Sequence, residues 1–261
     1  MGRAKAWLPW FGGPTMIEHV VARLRPVVDE VVVVTSADLD LPPLDARVVR
    51  DREPERGPLA GLRDGLAAIS AEHAFVTATD APFLSSAWVA SMLERRVACA
   101  PVADGHVQVL SAVYPQAALA TAERLLAADR ARPLALLEAL DYVAIEETTE
   151  WDSGRPPWQG FNTPEAYLEA VGLEDPGARC EVELLGRAAL VGGPAVVDAP
   201  VGSLGEVLAH VERGREFSLV EGDRVARAHL VSLGGRDLVR DLSLPIGPGE
   251  RISVLDAQAG G

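Results

Sequence analysis

Asp80 has the surroundings of a chemically active residue: it closes the run Ala74-Phe75-Val76-Thr77-Ala78-Thr79-Asp80, and Pro82 follows two positions on. Positions 74–78 are small, β-branched or aromatic without alternation, as in a strand covered on both faces. Proline cannot donate to a ladder, so the strand should stop at about Asp80. The carboxyl edge of an open α/β sheet is where ligands bind. A lone carboxylate there can hold Mg²⁺, which keeps several waters while bridging to substrate phosphates. The competing role is a cap on the next helix, although Leu84-Ser85-Ser86 already offers caps.

Lys5 is the second candidate. The chain has 24 basic residues and only this one is a lysine. An ammonium on a flexible stem suits reaching into phosphates, although one lysine can also survive an arginine bias by chance. Asp51 ends a short apolar run, and Gly57-Pro58-Leu59-Ala60-Gly61 opens a helical pattern whose first backbone N–H groups can take a carbonyl or phosphate. Acids at strand ends and Gly-Pro turns are each weak signals. Together with Lys5 they suggest metal-assisted nucleotidyl transfer.

The elements that must position these residues alternate. A helix over 16–24 carries Met16, Val20, Val21 and Leu24 on one face, and strands follow at 31–35 and 47–51. Helices are expected at 62–70, 87–95, 117–128 and 133–140, with strands at 99–102, 109–114 and 142–145. Such alternation implies parallel βαβ units. Asp104-Gly105 is a hairpin-like turn, and Thr163-Pro164 starts a helix ending near 171–172. Residues 173–178 read as a linker. Beyond it come strands at 180–185, 195–199, 225–233 and 251–255 with one amphipathic helix at 204–211, an α+β block. The expected domains are therefore 1–172 and 179–261.

The 261 residues are 48% hydrophobic and carry a formal charge of -14, which argues against a nucleic-acid or anionic-membrane partner. No apolar run reaches membrane-span length and no signal-peptide pattern opens the chain, so a cytoplasmic location is expected. Cys99 and Cys180 stand far apart without a histidine cluster and read as buried hydrophobes. His19 and His210 read as partly exposed surface, and His106 as a weak substrate candidate. Trp151, Trp158 and Phe161 flank a proline-rich loop that lines a pocket or merely anchors itself.

Met1-Gly2-Arg3-Ala4-Lys5-Ala6-Trp7-Leu8-Pro9, Gly57-Pro58-Leu59-Ala60-Gly61, Thr79-Asp80-Ala81-Pro82-Phe83-Leu84 and Asn162-Thr163-Pro164-Glu165 resemble, in order and spacing, the molybdenum cofactor guanylyltransferase family. The resemblance covers residues 1 to about 171. It implies a Rossmann-like α/β nucleotidyltransferase that joins the GMP part of GTP to molybdopterin, with Mg²⁺ and release of pyrophosphate. By motif position the resemblance implies that Lys5 is the phosphate-binding lysine, Asp51 a GTP contact and Asp80 the Mg²⁺ ligand. It likewise implies that Gly57, Pro58, Leu59, Ala60 and Gly61 form part of the guanine pocket and that Asn162 lies near the pterin. Gln108 and Tyr114 match a weaker substrate-side motif. The family pattern begins with a strand and a Leu-Ala-Gly-Gly-x-Ser-x-Arg loop that this sequence does not contain, so the domain is expected to lack its first strand and to expose unpaired edges in mid-sheet. Two rival readings are a catalytically dead scaffold and a cytidylyltransferase using CTP.

Residues 179–261, with Pro245-Ile246-Gly247-Pro248-Gly249-Glu250 and terminal Gly260-Gly261, resemble a β-grasp (ubiquitin-like) sulfur carrier, closest to the small subunit of molybdopterin synthase. The resemblance implies that the Gly261 carboxylate is adenylated by an E1-like adenylyltransferase and becomes a thiocarboxylate. The sulfur then passes to the substrate of the molybdopterin synthase large subunit. Glycines without side chains can thread a narrow channel.

Overall fold

The computed structural model describes residues 2–11, 14–146, 154–190 and 193–256. They fall into two compact units, Met16–Gly160 on one hand and Met1–Thr15 with Phe161–Gly261 on the other. Each has its own apolar core. Among the described residues no helix is long and apolar enough to cross a membrane.

In Met16–Gly160, α1 (Met16–Leu24) buries Met16, Val20, Val21 and Leu24, the face its spacing predicts. β1 (Val32–Thr35) and β2 (Arg47–Arg50) pair in parallel. After α2 (Pro58–Ala68) come β3 (His73–Thr77), α3 (Ser86–Leu93), β4 (Cys99–Ala103), β5 (His106–Val107) and β6 (Ser111–Pro115). α4 (Leu119–Ala127), α5 (Pro133–Ala139) and β7 (Val143–Glu146) complete it. β3, β6 and β4 are antiparallel neighbours while β7 lies parallel to β4, so the α/β unit is mixed rather than all parallel. Asp104 and Gly105 join β4 to β5 with φ of 49° and 75°, the left-handed pair that a two-residue hairpin demands.

Among the described residues β1 and β2 form a sheet of their own, separate from the one that holds β3. Arg47 N–H donates to the Val31 carbonyl and Asp51 N–H to that of Thr35, so odd positions of β1 face β2 and Val32 and Val34 face away. Gln116 N–H donates to the Glu72 carbonyl at 2.8 Å, which turns His73, Phe75 and Thr77 away from β6. Among the described residues no strand pairs with either outer edge. The segments leading into β1 and β3 are nevertheless tied, since Ser70 N–H donates to Glu30 Oε1 at 2.6 Å. All five residues of β3 are consequently half-exposed, which corrects the expectation of a strand covered on both faces. Helix α2 also starts earlier than expected. Gly57 is its N-cap and Pro58 its first residue, because proline's fixed φ suits that position and its missing N–H costs nothing there.

In the other unit, α6 (Pro164–Glu174) begins as predicted: Thr163 Oγ1 accepts from Ala166 N–H and Pro164 follows. It runs on to Glu174. β8 (Arg179–Leu185), β9 (Val196–Pro200), β10 (Gly202–Ser203) and α7 (Leu204–Glu212) lead to β11 (Val220–Glu221), β12 (Arg224–Val225), β13 (His229–Leu233), β14 (Asp237–Val239), β15 (Pro245–Ile246) and β16 (Arg251–Asp256). Five strands form one sheet in the order β14-β13-β16-β8-β9, with β16 and β8 parallel at its centre. Leu204, Val207, Leu208 and Val211 of α7 share a core with Val182, Leu184, Ile252 and Val254. The continuous strand expected at 225–233 is broken at Ala226, whose N–H turns back to the Leu219 carbonyl.

Candidate functional site

Asp51 follows β2 directly and is half-buried. Its Oδ1 accepts from Glu53 N–H at 2.8 Å, and a Cβ built on Gly61 would stand 3.7 Å from its Oδ2. The acid and the first turn of α2 are thus brought together. Gly57 has φ 80° and ψ -175°, an extended positive-φ conformation open essentially to glycine alone, and Pro58 follows it at the helix start. Leu59 and Ala60 are fully buried in the core, leaving Gly57, Pro58 and Gly61 on the accessible side of that turn.

Asp64 holds this corner in place, a role no motif announced. Its carboxylate accepts from Arg52 N–H at 2.9 Å, from Arg52 Nε at 2.8 Å and from Arg63 Nε at 2.9 Å. Burial alone would raise its pKa, but the bonds from Arg63 and Arg52 outweigh that and pull it down to about 2. The available signal was an adjacent Arg-Asp pair inside the otherwise apolar Leu62-Arg63-Asp64-Gly65-Leu66.

Asp80 is half-buried in the turn after β3. It is not the cap of α3, since Ser85 Oγ accepts from Trp88 N–H there. A Cβ on Gly160 would lie 2.8 Å from the Asp80 carbonyl oxygen and 3.2 Å from its Oδ2, so backbone presses on the acid where only glycine fits. The Arg155 guanidinium lies 5.2 Å over the Phe83 ring, and the Trp158 ring meets that of Trp88 at 5.7 Å. Among the described residues no three His, Cys, Asp or Glu side chains gather into a metal cage.

Lys5 opens a 3-10 turn, Lys5–Trp7. Its Nζ donates to Asn162 Oδ1 at 2.7 Å, which brings together two residues 157 positions apart in sequence. Both belong to the unit Met1–Thr15 with Phe161–Gly261, whereas Asp51, Gly57–Gly61 and Asp80 belong to Met16–Gly160. Gly261 lies outside the described residues, as does Trp151.

Two expectations change, those for Tyr114 and His19, and one open alternative closes, that for Phe161. Tyr114 is fully buried and its hydroxyl is occupied by the Val109 carbonyl at 2.9 Å, so it is a core residue rather than a substrate contact. His19 is buried, not surface, with Nε2 2.8 Å from the Pro82 carbonyl oxygen. Phe161 is buried with its ring 5.2 Å from that of Tyr167, so it anchors rather than lines. Gln108 is half-buried and donates to the His106 carbonyl, and His106 is exposed. Cys99 and Cys180 are free and buried as expected.

The sequence pattern of the MobA-like NTP transferase domain matches residues 1–143. A Chloroflexus aggregans protein named a probable molybdenum cofactor guanylyltransferase is 33% identical over 156 residues, covering 58% of this chain and 71% of the relative. One of the same name from Natronomonas pharaonis is 33% identical over 165 residues, covering 59% of this chain and 81% of its own. The solved structure of molybdopterin-guanine dinucleotide biosynthesis protein A from Archaeoglobus fulgidus superposes with a TM-score of 0.55 at 21% identity. It covers 67% of this chain and 92% of that one, a likeness of fold.

Proposed function

The chain belongs to the MobA-like NTP transferase family and is a nucleotidyltransferase, and from that premise we propose that it transfers GMP from GTP to molybdopterin. In that reaction a phosphate oxygen of molybdopterin attacks the α-phosphorus of GTP, a new P–O–P linkage forms, and pyrophosphate leaves. The observation that carries the reading is the bond from Lys5 Nζ to Asn162 Oδ1, a meeting of two motif residues that lie far apart in the sequence.

Each residue has a role of its own. Lys5 offsets phosphate charge, which two anions must lose before one can attack the other. Asn162 orients that ammonium and borders the pterin. Asp51 and the turn Gly57–Gly61 receive the nucleotide, the acid accepting N–H donors of the base or hydroxyls of the ribose. Asp80 suits Mg²⁺, an ion that takes one or two carboxylates and leaves its other positions to water and phosphate. When bound, the ion supplies charge neutralisation at the reacting phosphate. Gly160 keeps Asp80 in position by backbone contact.

For residues 179–261 the proposal is a β-grasp sulfur carrier ending in Gly261, with 173–178 as the linker from residues 1–172. Its support is the parallel pairing of β8 with β16 at the centre of a sheet crossed by α7. An E1-like adenylyltransferase and the molybdopterin synthase large subunit are its proposed partners.

The test is pyrophosphate release by the full chain with GTP and molybdopterin. Lys5→Ala and Asp80→Asn should each lower kcat/KM by about 100-fold, and retained rates in both would overturn the roles of these two residues. One residue added after Gly261 should abolish thiocarboxylate formation and spare GTP-dependent release. Release from CTP in preference to GTP would move the assignment to a cytidylyltransferase.

A further inference from the structure

The segment that carries Lys5 is fastened to the carboxy-terminal sheet by a forked ion pair. Arg3 Nη1 donates to Glu250 Oε1 at 2.5 Å and Nη2 to Oε2 at 2.8 Å, while Nη2 also reaches the Pro245 carbonyl at 2.8 Å. The two side chains are only 16% and 14% exposed, so this is no surface pair of negligible value. Planar guanidinium on carboxylate fixes direction as well as distance. The turn that presents Glu250 is itself closed, because Gly247 N–H donates to Glu250 Oε2 at 2.8 Å.

Further contacts hold the same segment. Tyr167 Oη donates to the Pro9 carbonyl at 2.7 Å. Any Cβ on Gly247 would overlap the Tyr167 hydroxyl, so glycine is required for turn and tyrosine to meet. Gly2, with φ 67°, comes so near Leu244 that a Cβ would lie 2.8 Å from its Cδ1. Between the anchors at Arg3 and Pro9, the 3-10 turn is closed by Trp7 N–H to the Ala4 carbonyl and Leu8 N–H to that of Lys5. Lys5 therefore stands between two fixed points, one of which consists entirely of residues 244–250.

We propose that the turn from Pro245 to Glu250 is a working part of phosphate binding: by clasping Arg3 it fixes where Lys5 stands, which makes Arg3, Glu250 and Tyr167 positioning residues. The proposal rests on the reading of Lys5 as the phosphate-binding lysine. A flexible four-carbon stem sweeps a wide volume, and only an anchored backbone keeps its ammonium at one address. The carboxy-terminal half thus tunes nucleotide affinity in cis, independently of any carrier chemistry.

A double-mutant cycle on the full chain tests it, reading equilibrium GTP affinity and hydrogen exchange at the Trp7 and Leu8 amides. Glu250→Gln should weaken GTP about tenfold, Lys5→Ala at least as much, and the two together little more than Lys5→Ala alone. The Trp7 and Leu8 amides should exchange faster in Glu250→Gln, and Arg3→Lys, which keeps the charge but loses the fork, should fall between. Additive effects, or unchanged affinity in Glu250→Gln beside a weakened Lys5→Ala, overturn the clasp. If Lys5→Ala binds GTP like the parent, the phosphate reading of Lys5 fails instead, and with it the role assigned to the clasp. Should Glu250→Gln not fold, Arg3→Lys runs the same cycle.

Discussion

Replacing Gly160 by alanine puts a methyl group 2.8 Å from the Asp80 carbonyl oxygen and 3.2 Å from its Oδ2. Comfortable contact begins at roughly 3.4 Å, so the acid and the chain at 160 must part by about 0.5 Å. Gly160 does not have the left-handed φ that would add backbone strain, so the effect is steric alone. Overpacking of this kind costs about 1–3 kcal/mol, offset by about 0.4–1 kcal/mol because alanine restricts the unfolded chain. A net loss of about 1–2 kcal/mol leaves the fold intact. Function should suffer more. Catalytic groups tolerate about 0.5 Å of displacement, and 1 Å can cost about 100-fold, so kcat/KM should fall about tenfold. The assay is pyrophosphate release at increasing Mg²⁺, with denaturant unfolding alongside. Gly172→Ala is the control: it lies in α6 with open space around its Cβ, so it should gain about 0.5–1 kcal/mol and leave the rate alone. A Gly160→Ala enzyme with parental kcat/KM and parental Mg²⁺ dependence would refute the placement of Asp80 at the reacting centre.

Asp64 gives an acid-stability prediction. Its folded pKa of about 2 lies below the unfolded value near 3.9, so its contribution of about 2 kcal/mol is full above about pH 5 and lost as pH falls through 2. Urea unfolding at pH 5 and pH 3 should show about half of that loss in the parent and little of it in Asp64→Asn. Burial pushes the Cys180 thiol up to about 12, so neither it nor the fully buried Cys99 should react with a thiol reagent at pH 8 until denaturant is added, when two thiols should titrate.

What the sequence revealed was local, and what it hid was made by distant neighbours. The apolar face of α1, the Thr163-Pro164 start of α6 and the Asp104-Gly105 hairpin each follow from a few adjacent residues. The early start of α2 was also local, and reading Gly57–Gly61 as a plain turn undervalued proline at a helix's first position. His19 stands three residues after Met16, on the buried face, so its burial was legible too. The exposure of β3 was not, because it depends on which strand lies beside it. Gly160 offered no signal, since its close approach to Asp80 spans eighty positions. The same holds for Arg3 and Glu250, which are 247 positions apart.

β16 decides how the two proposed activities coexist in one chain. It begins at Arg251, next to the clasping Glu250, and its described length ends at Asp256. Six residues at about 3.3 Å each put some 16–20 Å between the clasp and the point from which the tail departs. A residue appended after Gly261 should therefore leave Arg3 and Glu250 joined, and GTP affinity with them. Truncation after residue 178 should act differently. It removes Glu250, the Pro245 carbonyl and Leu244 together, strips Arg3 of its forked partner, and should weaken GTP binding by the same factor of about ten expected of Glu250→Gln. A truncated chain that folds and binds GTP like the full one would show that the first 172 residues work alone.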